Sequence, residues 1–198
     1  MDMTTEKSGL RERKKDETRR TLSEIALNLA IERGVGQVRV EDIAAAANVS
    51  LRTFNNYFPS KEAAIIGNAY QRSETIAVAL ADRPPGEALK DSFRAAVLTG
   101  FSETADRQWL ARTILLRDDP ALIGAQRKAE IEIERNLAKV IAERAKKDLT
   151  QDIYPTLMAA MLIAAVRAAV FFWASSSPGG PTLHEILDEA ISGLGHEH

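Results

Sequence analysis

Arg52, Thr53, Asn55 and Asn56 crowd into the stretch Ser50-Leu51-Arg52-Thr53-Phe54-Asn55-Asn56-Tyr57-Phe58. Guanidinium and carboxamide groups are the side chains that hydrogen-bond guanine and adenine edges bidentately in a DNA major groove, and Leu51 adds apolar contact for a thymine methyl. That chemistry needs a stiff support presenting all of them on one side. Phe54 and Phe58 stand one helical turn apart, so a helix that buries both turns Leu51, Arg52, Thr53, Asn55 and Asn56 outward.

The residues before this stretch read as the partner helix. Ile43, Ala44 and Ala47 share a face, Asn48 tolerates the left-handed conformation that ends a helix, and Val49 plugs the turn. Ser50 is a good N-cap for the second helix. The pattern is a helix-turn-helix with its recognition helix over 51–57. An ordinary helical hairpin with a polar outer face is the plainer alternative. The surroundings favour DNA. Arg39, Tyr57 and Lys61 flank the pattern where phosphates would lie, with Val40 and Ser50 at the helix starts. Residues 7–20 carry seven Lys/Arg (Lys7, Arg11, Arg13, Lys14, Lys15, Arg19 and Arg20) against three acidic residues, on a chain of net charge −2. A basic end on a mildly acidic chain suits a protein that presents one end to phosphates. Residues 1–15 read as a solvated arm, disordered when free.

Thr18-Arg19-Arg20-Thr21-Leu22, then Val40-Glu41-Asp42-Ile43-Ala44, Asn48-Val49-Ser50, Thr53-Phe54 and Tyr57-Phe58-Pro59-Ser60-Lys61-Glu62 resemble, in order and spacing, the signature of the TetR family of one-component transcriptional regulators. The resemblance covers about residues 15–65. The chain departs from it at Arg52, where the family usually has Gly, and at Asn55, where it usually has an aromatic residue; both changes bear on which operator is read. From about Arg83 onward the layout is similar to the C-terminal domain of mycofactocin-type regulators. The resemblance implies an all-α protein that binds DNA and a small effector.

Composition agrees with a globular regulator. Over 198 residues, a 45% hydrophobic share supports a real core. The absence of cysteine excludes disulfides, thiolate metal sites and cysteine nucleophiles. His184, His196 and His198 are the only histidines. His184-Glu185 lacks the second histidine of a zinc-protease helix, and no phosphate-binding glycine loop follows a strand, so neither enzyme, cofactor nor metal site is expected. The apolar run 157–174 approaches a membrane span in length, but Arg167 near its middle and its many alanines favour a buried helix, with no membrane and a cytoplasmic location.

About nine helices are expected. The first runs from about Asp16 to Arg33 on the stripe Leu22, Ile25, Ala26, Leu29 and Ala30, and stops at Gly34. The fourth runs unbroken from Ser60 to about Ala81, where Arg83-Pro84-Pro85-Gly86 breaks the chain. Further helices are expected at 87–104, 107–117, from Asp119-Pro120 to about Lys147, and at 152–175. A last one is opened by the capping box Thr182–Glu185 and ends near Gly193. This divides the chain into an arm (1–15), an N-terminal three-helix domain carrying the helix-turn-helix (16–60), a linking helix (61–82), a ligand-binding and dimerisation bundle (83–194) and a tail (195–198).

In that bundle Phe93, Phe101, Trp109, Met158, Met161, Leu162 and Phe171 are candidates to line an apolar effector cavity, with Arg167 meeting an anionic group. Plain core packing is the alternative for each. The alanine-rich penultimate helix and the final helix are expected to pair with their symmetry mates in a homodimer, setting two recognition helices on a pseudo-palindromic duplex. A repressor released by a small apolar effector is the favoured function. An effector-independent DNA-bound dimer that recruits a partner is the alternative, and a lipid or acyl-thioester carrier with a vestigial helix-turn-helix is a third reading.

Overall fold

A computed structural model describes residues 3–101, 119–177 and 179–194. The described residues form nine α-helices and one 3-10 turn, divided between two compact units. One holds 3–71 with 119–126, the other 72–101 with 127–177 and 179–194; the division falls between Gln71 and Arg72, earlier in the chain than the Arg83-Pro84-Pro85 break.

In the first unit, α1 spans Met3–Arg33. It therefore starts well before Asp16 and includes residues expected as a disordered arm; that stretch contains no proline and a single glycine, Gly9, so nothing local stops the helix. Leu22, Ala26, Leu29 and Ala30 are buried as their spacing demands, and Leu27 joins them, while Ile25 is half-buried. Gly34 ends the helix at φ 82, a value that glycine adopts without steric cost. A 3-10 turn (Val35–Gln37) leads to α2 (Val40–Ala46), α3 (Leu51–Tyr57), α4 (Lys61–Ile65) and α5 (Gly67–Ala81).

The expected single helix from Ser60 to Ala81 is broken at Ile66. Ser23 of α1 donates a 2.7 Å hydrogen bond to the Ala64 carbonyl, and a Cβ at Gly67 would come within 2.7 Å of the Ser23 hydroxyl and 3.0 Å of the Phe58 ring. The chain is pressed against α1 at this point, and it tightens to an Ala69 N–H to Ile66 carbonyl bond at 3.1 Å.

In the second unit, α6 spans Leu89–Gly100, α7 Ile123–Ala145 (from the first unit into the second), α8 Tyr154–Ser175 and α9 Leu183–Ser192. The core joins Ile76, Leu80, Phe93, Val97, Phe101, Ile141, Leu162, Trp173, Leu187 and Ile191. α6 is shorter than expected, and the helix expected at 107–117 lies outside the described residues. α7 begins at Ile123 rather than Asp119: the Asp119 carboxylate accepts from Ala121 N–H at 2.9 Å and its carbonyl from Leu122 N–H at 2.9 Å, closing a turn before the helix. Lys146, at φ 53, ends α7. Thr182 and Glu185 form the expected capping box on α9, with Glu185 N–H donating to Thr182 Oγ1 at 3.2 Å and Thr182 N–H to Glu185 Oε2 at 2.7 Å.

The Arg83-Pro84-Pro85-Gly86 break is held by a polar network. Arg144 of α7 donates to the carbonyls of Arg83 (2.6 Å) and Pro84 (3.1 Å) and to Ser92 Oγ (2.9 Å). Ser92 in turn donates to Glu87 Oε2 at 2.7 Å, and Glu87 pairs with Arg83. Hydrogen bonds first from Arg83 and then from Ser92 pull the Glu87 pKa down to about 2.

Candidate nucleic-acid interface

The turn between α2 and α3 is built as its residue types require. Asn48 has φ 53, its N–H donates to the Ala45 carbonyl at 3.0 Å, and Val49 N–H donates to the Ala44 carbonyl at 2.9 Å. Val49 is half-buried, a looser plug than expected. Ser50 caps α3, its Oγ accepting from Thr53 N–H at 3.0 Å. Phe54 and Phe58 are buried with their ring centroids 5.9 Å apart. The short recognition helix is thus anchored by a cap at one end and two aromatic rings beneath.

On its outer side Leu51 is 44% exposed, and Arg52, Asn55 and Asn56 are exposed with it. Thr53 is half-buried, with its hydroxyl 2.8 Å from Ser50 Oγ, so part of its hydrogen-bonding capacity serves the cap. Tyr57 and Val40 are half-buried and Arg39 is exposed. The Arg39 backbone N–H donates to the Asp42 carboxylate at 3.2 Å, which fixes the entry to α2.

Lys61 differs from expectation. Its ammonium turns inward and donates to the carbonyls of Val35 (2.9 Å) and Val38 (2.8 Å), rather than lying free at the edge of the helix pair. Arg19, expected among the basic tail contacts, lies 5.4 Å from the centroids of both Phe58 and Tyr70. These inward roles were missed, though a lysine in the first turn of a helix is a signal: a cation is disfavoured there unless something else holds it.

The candidate effector residues scatter. Phe93, Phe101 and Leu162 are buried in the core of the second unit, and Met158 and Met161 are half-buried. Arg72 lies over the Phe101 ring at 4.6 Å, and His184 Nε2 is 2.8 Å from the Phe101 carbonyl. Trp109 lies outside the described residues. Phe171 and Arg167 do not share the buried position of Phe93 and Phe101. Phe171 is 56% exposed and points away from the core, because α8 buries Ala169, Val170 and Trp173 and so turns 171 and 172 outward. Arg167 is also exposed, lying 4.0 Å from Glu130 of α7.

Residues 22–64 match the family described as bacterial regulatory proteins, tetR family, and residues 83–198 match the MftR C-terminal domain. The chain is 34% identical over 173 residues, 83% of its length, to the HTH-type transcriptional regulator TcmR of Streptomyces glaucescens, covering 76% of that protein. This chain belongs to the TetR family. The same fold is seen in a TetR-family transcriptional regulator from Syntrophomonas wolfei (TM-score 0.63, 17% identity, covering 90% of this chain and 93% of that one). A regulator from Rhodococcus is also similar (TM-score 0.51, 20% identity, covering 88% and 94%). TetR-family proteins are transcriptional regulators and not enzymes; they pair an N-terminal helix-turn-helix that binds DNA with a C-terminal domain that binds ligands, and they dimerise. A DNA-binding regulator works in the bacterial cytoplasm, where its DNA is. α8 is long and apolar enough to span a membrane by length and composition alone, but in this family's fold it is one helix of the C-terminal bundle.

Proposed function

We propose that this TetR-family chain is a homodimeric repressor that reads a pseudo-palindromic operator and is released by a small apolar effector. The observation that carries the DNA reading is the joint exposure of Leu51, Arg52, Asn55 and Asn56 on a capped, aromatic-anchored α3. In this reading Arg52, Asn55 and Asn56 contact base edges, Leu51 a thymine methyl, and Arg39 and Tyr57 phosphates, with Val40, Ser50 and Thr53 shaping the approach. Two such helices on successive major-groove faces must stand roughly 34–36 Å apart if the half-sites are one turn apart.

Pairing rests on α8 and α9. Phe171 and Phe172 expose 56% and 61% of their surface, and Ala168, Phe172, Ile186, Glu189 and Ala190 line a groove between the two helices. Two exposed rings beside an apolar groove suit a contact with another chain, and a second copy placed on a two-fold axis would cover them with the same helices. Release requires the effector to prefer the DNA-incompetent state, so DNA must reciprocally weaken the effector. A tenfold release needs about 1.4 kcal/mol of differential affinity.

Gel retardation of the DNA upstream of the protein's own gene, with and without candidate apolar metabolites, tests the whole reading. A shift abolished by one compound class is the expected result. A shift that no compound alters supports the effector-independent dimer, which the burial of Phe93, Phe101 and Leu162 in the core favours. The absence of any shift refutes the DNA reading. Trp109→Ala is expected to leave operator affinity near wild type while blunting release.

A further inference from the structure

We propose that Arg19 is a positioning residue for operator readout, its guanidinium setting the attitude of α3 through the rings beneath that helix; the inference rests on the DNA-binding reading above. Arg19 lies on α1 and is half-buried, with its Cζ 5.4 Å from the ring centroid of Phe58 and 5.4 Å from that of Tyr70 on α5. Both distances are within reach of a cation–π attraction. Its Nε is shut off from water and has no hydrogen-bond partner among the described residues. A buried donor is ordinarily satisfied, so the two rings are what this end of the side chain meets in place of water. A merely solvated member of the basic tail would stand outward, as Arg20 does.

The rings lead to the recognition helix. Phe58 closes α3, its N–H donating to the Phe54 carbonyl at 3.0 Å, and the two phenyl rings are tilted by 40° with centroids 5.9 Å apart. The start of α5 also bounds Phe58, since a Cβ on Gly67 would come within 3.0 Å of its ring. A second tie joins α5 to α1 about one turn before Arg19, where Gln71 Nε2 donates to the Asp16 carbonyl at 3.4 Å. All of these residues lie in the first unit. Arg19 therefore meets both the aromatic anchor of α3 and the start of α5. Phosphate attraction depends on charge and tolerates small shifts, whereas base contacts depend on where α3 stands in the groove. A residue that steadies α3 from beneath acts on the second and spares the first.

The test uses the full chain and the variants Arg19→Lys, Tyr70→Leu, Tyr70→Phe and Arg19→Lys with Tyr70→Leu. Binding is measured to the duplex upstream of the protein's own gene and to a random-sequence duplex of equal length, beside thermal unfolding. Arg19→Lys keeps the charge, but a compact, strongly hydrated ammonium lacks the planar face that lies on a ring. Its preference for the upstream duplex is expected to fall by about two- to fivefold, the fold-change that one exposed cation–π contact is worth. Affinity for the random duplex and its salt slope should stay at wild type. Tyr70→Leu, at a residue that meets no DNA in this reading, is expected to lower the preference too, and Tyr70→Phe to leave it intact. The pair should lose no more than Arg19→Lys alone, because the two changes remove one shared contact. An unchanged preference in Arg19→Lys, additive losses in the pair, or a loss in Tyr70→Phe overturns the proposal. Equal weakening on both duplexes also overturns it and makes Arg19 a phosphate contact. If Tyr70→Leu fails to fold, Arg19→Lys and Tyr70→Phe carry the test. A wild-type chain with no preference between the duplexes refutes the DNA reading instead, and additivity of the melting temperatures still decides whether Arg19 and Tyr70 act as one contact.

Discussion

Helices α3 and α8 each present a face that their own chain leaves uncovered, and the two faces differ in kind. α3 is seven residues long and exposes a guanidinium and two carboxamides over a pair of buried rings. α8 is 22 residues long; Leu157, Phe171 and Phe172 stand exposed on it, with Ile153 exposed just ahead of it, while an 18-residue window of it is only 22% buried. A polar face loses little by standing in water, so nothing in α3 forces a partner; its fixed geometry is what suits one. An apolar face of that size is costly in water, so α8 calls for cover by burial alone. The first face implies specificity, the second affinity.

The largest expected effect separates support from presentation in the head. Phe54 is fully buried under α3, and Phe54→Ala should cost about 3–5 kcal/mol of stability and abolish DNA binding by loosening the helix. Denaturant unfolding with a parallel binding assay checks it; binding that survived would mean that α3 does not depend on its aromatic anchor.

The next effect tests the apolar face. Phe171→Glu with Phe172→Glu places two carboxylates in the proposed dimer surface while removing apolar area worth about 1.5–3 kcal/mol per ring. Sedimentation is expected to show a monomer at concentrations where the wild-type chain is dimeric, with helical content retained. A dimer that persisted would move the interface away from this end of α8.

Arg52→Ala is expected to be smaller. It should cost about 1–3 kcal/mol on the operator and relax preference at one base pair, with folding unchanged because Arg52 is exposed. Equal losses on operator and random DNA would make Arg52 a phosphate contact.

The smallest effect concerns the network at the 83–92 break. Glu87 has its pKa lowered to about 2 by Arg83 and Ser92. The folded value lies below the unfolded one, so the stabilisation is present above the ordinary carboxylate range and fades as pH falls toward about 2. Comparing wild type with Glu87→Gln across that range should show a small stability gap that closes on acidification. A gap independent of pH would assign the effect to hydrogen bonding alone.

Much of the head was legible because its signals are local. A serine cap, a left-handed asparagine and two phenylalanines one turn apart act within a few residues, and short-range geometry leaves them few alternatives. The capping box of α9 was legible for the same reason. The body was harder to read: Phe93 and Phe171 both look like cavity-lining aromatics in sequence, yet one is buried and the other exposed. Hydrophobicity says that a ring seeks cover but not on which side of its helix the cover lies.

By itself, then, the sequence determined the helical class, the family signature, the caps and the outward set Leu51, Arg52, Asn55 and Asn56, because each follows from the 3.6-residue period or from backbone preferences within one turn. Only the tertiary structure decided that Ser23 and Phe58 press the chain at Gly67 and break the linking helix, that Arg144 reaches the Arg83 and Pro84 carbonyls, and that Lys61 turns inward. Each of these hydrogen bonds joins residues separated by 23 to 61 positions. Periodicity carries no information about such meetings; they arise when buried carbonyls out of reach of water must find a donor, and the donor at hand is the one that packing brings there.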